Sequence, residues 1–253
     1  MSIRAVTFDL WDTVLVDDSD ETERRKKGLL PKPQQRRRLV FELLKKHAPI
    51  LKEEVDAACD AVDRAFNHDW HENNLTWTVA RRMDRLLAVL KRKLPQDELA
   101  ELVRRHEEME LAARPDLAPG VREALHALHG RYRLGVISDT IFSPGRTLRR
   151  ILEEEDLLGL FEAFAFSDEV GASKPDRKMF DAAANQLGIK PEQMLHVGDR
   201  EKNDVEGPQA VGARAVLVTV VKDRRSGPSK ADAVCADYRE LPRLVDELNA
   251  GEE

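Results

Sequence analysis

Four short stretches of the 253-residue chain carry side chains able to act together on a substrate. Asp9 stands in the run Phe8-Asp9-Leu10-Trp11-Asp12-Thr13, and Ser138 in Val136-Ile137-Ser138-Asp139-Thr140. Lys174 precedes Pro175, and Asp199 and Asp204 lie five residues apart behind His196-Val197-Gly198. Carboxylates suit a divalent metal, because Mg²⁺ takes oxygen ligands and usually one or two carboxylates. A hydroxyl and a lysine suit the oxygens of an anion as charge develops on it. Singly, each has an ordinary use: an aspartate after a strand caps a helix or a turn, a serine turns the chain, a lysine is solvated. Their joint occurrence, each following a strand-like run, favours a site, since ligands of open α/β sheets bind at the carboxyl ends of strands.

The elements that must hold these residues are readable from periodicity. Strand-like runs are predicted at 3–8, 134–137, 163–166, 194–197 and 215–221, with a weaker one at 233–235. Helical segments are predicted between them at 122–129, 146–157, 178–187, 205–211 and 241–249. Gly130, Gly159, Gly188 and Gly212 fall where a left-handed helix C-cap is expected. Alternation of this kind predicts a parallel sheet covered on both faces. Residues 17–117 read differently, as four amphipathic helices. Their stripes are Leu39 to Leu44, Val55 to Phe66, Trp77 to Leu94 and Leu99 to Met109, with prolines at 31, 33, 49, 95 and 115 between them.

Composition agrees with two kinds of material. Of 13 glycines only Gly28 precedes residue 120, and the net charge of −6 lies wholly outside 17–117, where 21 basic and 21 acidic residues balance. Hydrophobic residues at 42% supply a core and exclude a disordered chain. No apolar run is long enough to span a bilayer, and no secretory signal is read at the start. Two cysteines, Cys59 and Cys235, exclude a disulfide scaffold and a cysteine-ligated zinc. A cytoplasmic location is therefore expected, with no membrane partner.

With its four segments in this order, the chain resembles the haloacid dehalogenase superfamily of hydrolases over essentially its full length, with a helical cap between the first and second motifs. The resemblance implies an α/β fold: a doubly wound, Rossmann-like parallel-sheet core at 1–16 and 118–253, and an inserted all-α cap at 17–117. It implies that Asp9 is the nucleophile, that Thr13 closes the first motif, and that Ser138 and Lys174 serve catalysis. It also implies substrate binding by Trp11, Ser138, Asp139 and Lys174, and a Mg²⁺ site of Asp9, the Trp11 carbonyl, Asp199 and Asp204. The expected substrate is a small phosphorylated metabolite. Attack by a carboxylate gives an aspartyl phosphate and splits one hard step into two, and the metal screens the dianion.

One position departs from the pattern. Phosphatases of this family carry a second aspartate two residues after the nucleophile, as acid and then base; here Trp11 stands there. General acid–base catalysis is worth about 10²–10⁴-fold, so turnover is expected to be depressed by that order. Thr13 keeps its spacing, so Asp12 is not taken as a replacement. The family's dehalogenases have Tyr at this position and its phosphonatases Ala. Dehalogenase-like displacement at carbon is one alternative, although the two acids of the fourth motif match the metal-dependent branch. Phosphonatase chemistry needs a cap lysine, for which only Lys26, Lys27 or Lys32 are on offer. A ligand-binding protein with faded catalysis is the third reading.

Other features have ordinary readings. Eight basic residues between Arg24 and Arg38 read as a solvated helix face and hinge. Without interleaved aromatics, and in an acidic protein, they do not suggest nucleic acid. His106, Cys59 and Trp77 read as core, His196 as a hydrogen-bonded strand residue, and Trp70 as a candidate for the cap side of the pocket.

Overall fold

The computed structural model describes residues 2–251. Six strands form one parallel sheet: β1 (Ala5–Phe8), β2 (Arg133–Ser138), β3 (Ala163–Phe166), β4 (Met194–Gly198), β5 (Arg214–Val218) and β6 (Ala233–Cys235). Their order is β3-β2-β1-β4-β5-β6, so the chain winds outward from β1 first to one side and then to the other. Strand side chains alternate between two buried faces. Leu134 and Val136 of β2 join an apolar cluster with Phe8, Leu125 and Leu148, whereas Ile137 packs with Met179 and Phe180 on the opposite face.

Helices cover both faces. After β1 come α1 (Asp20–Lys26), α2 (Lys32–His47), α3 (Lys52–Asn73), α4 (Val79–Val89), α5 (Gln96–Glu107) and α6 (Met109–Ala112). The core then resumes with α7 (Val121–Leu128), α8 (Gly145–Glu154), α9 (Ser167–Val170), α10 (Arg177–Gln186), α11 (Gly207–Gln209) and α12 (Leu241–Ala250). The inserted helices have their own apolar cluster, in which Val40, Val55, Val62, Phe66, Leu86 and Leu102 meet. Their starts follow local chemistry: the Thr78 hydroxyl accepts from Arg81 N at 3.2 Å to open α4, and Glu54 accepts from Leu51 N at 2.8 Å to open α3.

Several boundaries differ from the periodic reading. The stripe from Trp77 to Leu94 is one helix only over Val79–Val89; Trp77 lies outside it, buried edge-on against Phe66. The helix expected at 205–211 is a π-helical turn, Glu201–Glu206, followed by α11. Strand β5 stops at Val218 because its pairing with β6 ends there, at Val218 opposite Cys235. Gly130, Gly188 and Gly212 do adopt positive φ. Gly159 does not; Asp156 at φ 56° takes the left-handed position after α8, and Gly159 lies in a 3₁₀ turn. The basic stretch is not uniformly solvated either. Arg24 and Lys32 are buried, Arg24 on the Leu30 carbonyl at 2.9 Å and Lys32 on Asp20 at 2.7 Å.

Candidate active site

The site forms where β2, β1 and β4 end side by side. Asp9 N donates to Val197 O at 2.9 Å, which continues the β1–β4 ladder by one residue and sets the Asp9 carboxylate beside the end of β4. Lys174 enters from the loop after α9, fully buried, with Nζ 2.8 Å from Asp9 Oδ1 and 2.6 Å from Asp204 Oδ1. Burial opposes its charge, but Asp204, Asp9 and Asp139 outweigh burial and hold the ammonium above its ordinary pKa. For Asp204 the balance is reversed in sign. Burial favours its neutral form, and Lys174 and His196 override that and keep it ionised well below the usual range.

His196 sits under this pair on β4, opposite Thr7 on β1. Its Nε2 is 3.2 Å from Asp204 Oδ1 and its Nδ1 2.9 Å from Thr7 Oγ1. Burial lowers its pKa, so the ring is neutral; Nε2 then carries the proton toward the carboxylate and Nδ1 accepts from the threonine. Gly198 makes room for the arrangement, because a Cβ there would meet Asp204 Cγ at 2.4 Å.

Ligand oxygens of Asp9, Asp199 and Asp204 lie within 4.8 Å of one another, all three residues buried. Asp199 Oδ1 has no hydrogen-bond partner, and burial, with Asp204 and Asp9 nearby, pushes its carboxyl up to about 7. An unpartnered carboxylate oxygen among like charges is a donor set that fits a hard divalent cation. Two hydroxyls of the motif residues are left unpartnered as well: Ser138 Oγ at the end of β2 and Thr13 Oγ1, both buried.

Asp139 is more heavily engaged. Its Oδ1 accepts from Lys174 N at 3.0 Å, and its Oδ2 from Trp70 Nε1 and Asn203 Nδ2 at 3.3 Å each. It thereby ties α3 of the inserted helices to the core. Trp11 is half-buried and, with Asp9, Trp70, Asp139, Arg200 and Asn203, walls a cavity of about 30 Å³. That volume admits water and not a metabolite. Asp12, at φ 53°, is turned away: it accepts from Asp17 N at 3.0 Å and pairs with Arg224.

Arg224 is the residue that sequence reasoning missed. It lies beyond β5 and bridges Asp12 and Asp199, pairing with Asp199 through Nε. Its segment, Lys222-Asp223-Arg224-Arg225, is a plain charge run with no periodicity, so nothing in the sequence singles it out. Other residues stay apart from Asp9. Lys27 Nζ donates to Ala112 O at 3.0 Å, Lys26 faces Glu23 at 3.4 Å, and Lys32 is held by Asp20 and Asp18. His106 is buried, with Nδ1 on Leu102 O at 2.8 Å and its pKa lowered by burial to about 4.

Comparison with known proteins gives this geometry a context. A glyceraldehyde 3-phosphate phosphatase of Methanothermobacter thermautotrophicus is 29% identical over 222 residues, 85% of each chain. A pyrimidine 5'-nucleotidase of Escherichia coli is 36% identical over 103 residues, 40% of this chain and 42% of that protein. Among solved structures, a phosphatase from Thermococcus onnurineus superposes with TM-score 0.62 at 24% identity, covering 96% of this chain and 98% of its own. A 2-haloacid dehalogenase from Pseudomonas syringae superposes with TM-score 0.70 at 21% identity, over 97% and 99%. At those identities the two structures speak to fold alone, and they include both chemistries. The haloacid dehalogenase-like hydrolase family matches residues 3–212, a span that includes every strand-end residue described above, and the chain belongs to that family of hydrolases.

Proposed function

We propose that the protein is a magnesium-dependent phosphohydrolase that transfers the phosphoryl group of a small phosphorylated metabolite to Asp9. One observation carries this reading: a buried three-carboxylate group, in which one Asp199 oxygen lacks a hydrogen-bond partner, holds the Lys174 ammonium 2.8 Å from Asp9, while the unpartnered Ser138 hydroxyl ends the neighbouring strand β2. Groups suited to an anion and groups suited to a cation stand at the same rim of the sheet, as a metal-bound phosphate ester requires. Similarity to glyceraldehyde 3-phosphate and phosphoglycolate phosphatases supports it.

In this mechanism Asp9, Asp199 and Asp204 with the Trp11 carbonyl would hold Mg²⁺, whose charge would screen the dianion from the attacking carboxylate. Ser138 Oγ and Lys174 Nζ bind phosphoryl oxygens. The free Asp9 oxygen attacks phosphorus while the bond to the leaving alkoxide breaks, and Lys174 fixes the other oxygen. Water must protonate the leaving group, because Trp11 carries no proton to give. Hydrolysis of the aspartyl phosphate is slow for the same reason. Thr13, with its carbonyl held by Tyr238 Oη–H at 2.8 Å, orders the turn after Asp9. Residues 17–117 act as the cap over a core of 1–16 and 118–253, and exclude water when closed.

The test is an intact-mass measurement after incubation with an activated phosphoryl donor and Mg²⁺. A long-lived gain of one phosphoryl group is expected, lost in Asp9→Asn and in excess EDTA. Absence of the adduct in the native protein overturns the mechanism. Trp11→Asp is expected to raise nitrophenyl phosphate turnover by about 10²–10⁴-fold; no gain favours a binding protein with faded catalysis. The aromatic residue at position 11 favours dehalogenation as a second reading, and halide release from 2-haloacids in EDTA is its distinguishing result.

A further inference from the structure

The cavity at Asp9 shares wall residues with a second space, and the second shares wall residues with a third. Beyond Trp11 and Arg200, which border both, lies a second of about 200 Å³. Beyond Arg36 and Phe142 lies a third, of about 300 Å³, inside the bundle of α2 to α5. Ile141 borders all three. The charges along the passage are mutually paired. Lys32 is held by Asp20 and Asp18, and Arg36 meets Glu110 at 3.3 Å.

The third chamber is of another character. Its walls include Val40, Val62, Phe66, Met83, Leu86 and Phe142. Arg82 also borders it, but its charge is spent on Asp63 at 2.7 Å and on the ring faces of Phe66 and Phe142, each 4.1 Å away. Arg37, Asp63, Asn67 and His106 line it as well, and one buried polar atom of a wall residue has no acceptor: Arg36 Nε, on the guanidinium that stacks 3.7 Å from the Phe142 ring. A mainly apolar recess of ligand size with a few polar groups on its wall has the composition of a small-molecule pocket.

We infer that this chamber receives the body of the leaving group. The substrate is then the phosphate monoester of a bulky, predominantly apolar alcohol, aryl or branched alkyl, with an oxygen acceptor placed to take the Arg36 Nε–H. This rests on the phosphatase reading and narrows it, since neither glyceraldehyde 3-phosphate nor phosphoglycolate carries an apolar body.

The test separates the two claims by using non-hydrolysable ligands. In Mg²⁺, 4-phenylbutylphosphonate is expected to bind at least about tenfold more tightly than 4-hydroxybutylphosphonate, the scale of discrimination that apolar pockets provide. Met83→Trp, which fills the chamber, should bring that ratio toward one; Val62→Phe serves the same end if the first variant does not fold. Equal affinities, or a preference untouched by both variants, overturn the inference. Hydrolysis of the corresponding phosphate esters is read separately. A binding preference without hydrolysis of either ester keeps the chamber and removes the phosphatase reading; equal turnover of both with no binding preference does the reverse.

Discussion

Asp139 shows how one buried carboxyl can join two parts of a molecule at a cost. Burial pushes its pKa up to about 6, against the pull of the Lys174 charge and backbone N–H. The unfolded chain releases this proton near the ordinary value of 3.8, whereas the folded protein keeps it until about 6. Across that window the native state binds more protons, so this group's contribution to stability falls as pH rises, and above it the fold carries a desolvated charge. Asp139→Asn removes the titration. The stability of the variant relative to the native protein should therefore rise between about pH 4 and 6 and level off above. Urea unfolding of both proteins at several pH values checks this, and a constant difference across the window refutes it. Trp11 acts at the same scale in the opposite way, by what it lacks: its indole leaves the three buried carboxylates in place and brings no titratable proton to the cavity.

Among the elements, the loop after β2 couples the core to the inserted helices. Its start is pinned to the core, with Thr140 N on Ser167 Oγ at 2.8 Å and Thr140 Oγ1 on Asp168 Oδ1 at 2.8 Å. Its middle belongs to the helices. Phe142 lies between the guanidiniums of Arg36 and Arg82, and Ile141 O accepts from Arg82 Nη1 at 3.3 Å. Ser143 Oγ ends it by donating to Glu110 of α6. Any displacement of the helices is thus felt three residues from Ser138, at Ile141. Phe142→Ala removes the ring from between the two cations and should cost about 1–3 kcal/mol of stability. Hydrogen exchange should quicken in 139–143 and in α2 and α4 while β1 to β5 keep their protection; uniform loosening of the strands would contradict the coupling role.

At the scale of the whole molecule, three buried carboxylates at the meeting point of β1 and β4 are a store of like-charge repulsion, only partly relieved by Lys174 and Arg224. A ligand that binds the native state alone stabilises it by mass action. Mg²⁺ should therefore raise the melting temperature, and EDTA should reverse the rise. Asp199→Asn should abolish that response and yet melt above the native protein in EDTA, because one of the repelling charges is gone. Differential scanning fluorimetry of both proteins with and without Mg²⁺ reads both effects; a variant that melts lower in EDTA and still responds to Mg²⁺ would contradict the account.

Local pattern sufficed for the strands, the sheet class, the four longer inserted helices α2 to α5 (α1 and α6 were not read) and the chemistry-bearing residues at strand ends. Period-two and period-3.6 burial are written into neighbouring residues, and a strand of an open parallel sheet delivers whatever follows it to one rim. That is why Asp9, Ser138 and Asp199 were legible as neighbours despite more than a hundred residues between the first two. Contacts made by irregular segments were not legible. Arg224 reaches Asp199 because the chain leaves β5 at Val218 and crosses the site before it enters β6, and no local signal encodes that path. Burial of Lys32 and Arg24 was equally hidden, since a charge run looks solvated until distant acids and carbonyls are packed against it. The sequence by itself determined which groups stand at the rim. Only tertiary packing decided which of them are paired, which are left unpartnered for a ligand, and how much room lies beyond Trp11, because those depend on side chains meeting across elements that no single stretch contains.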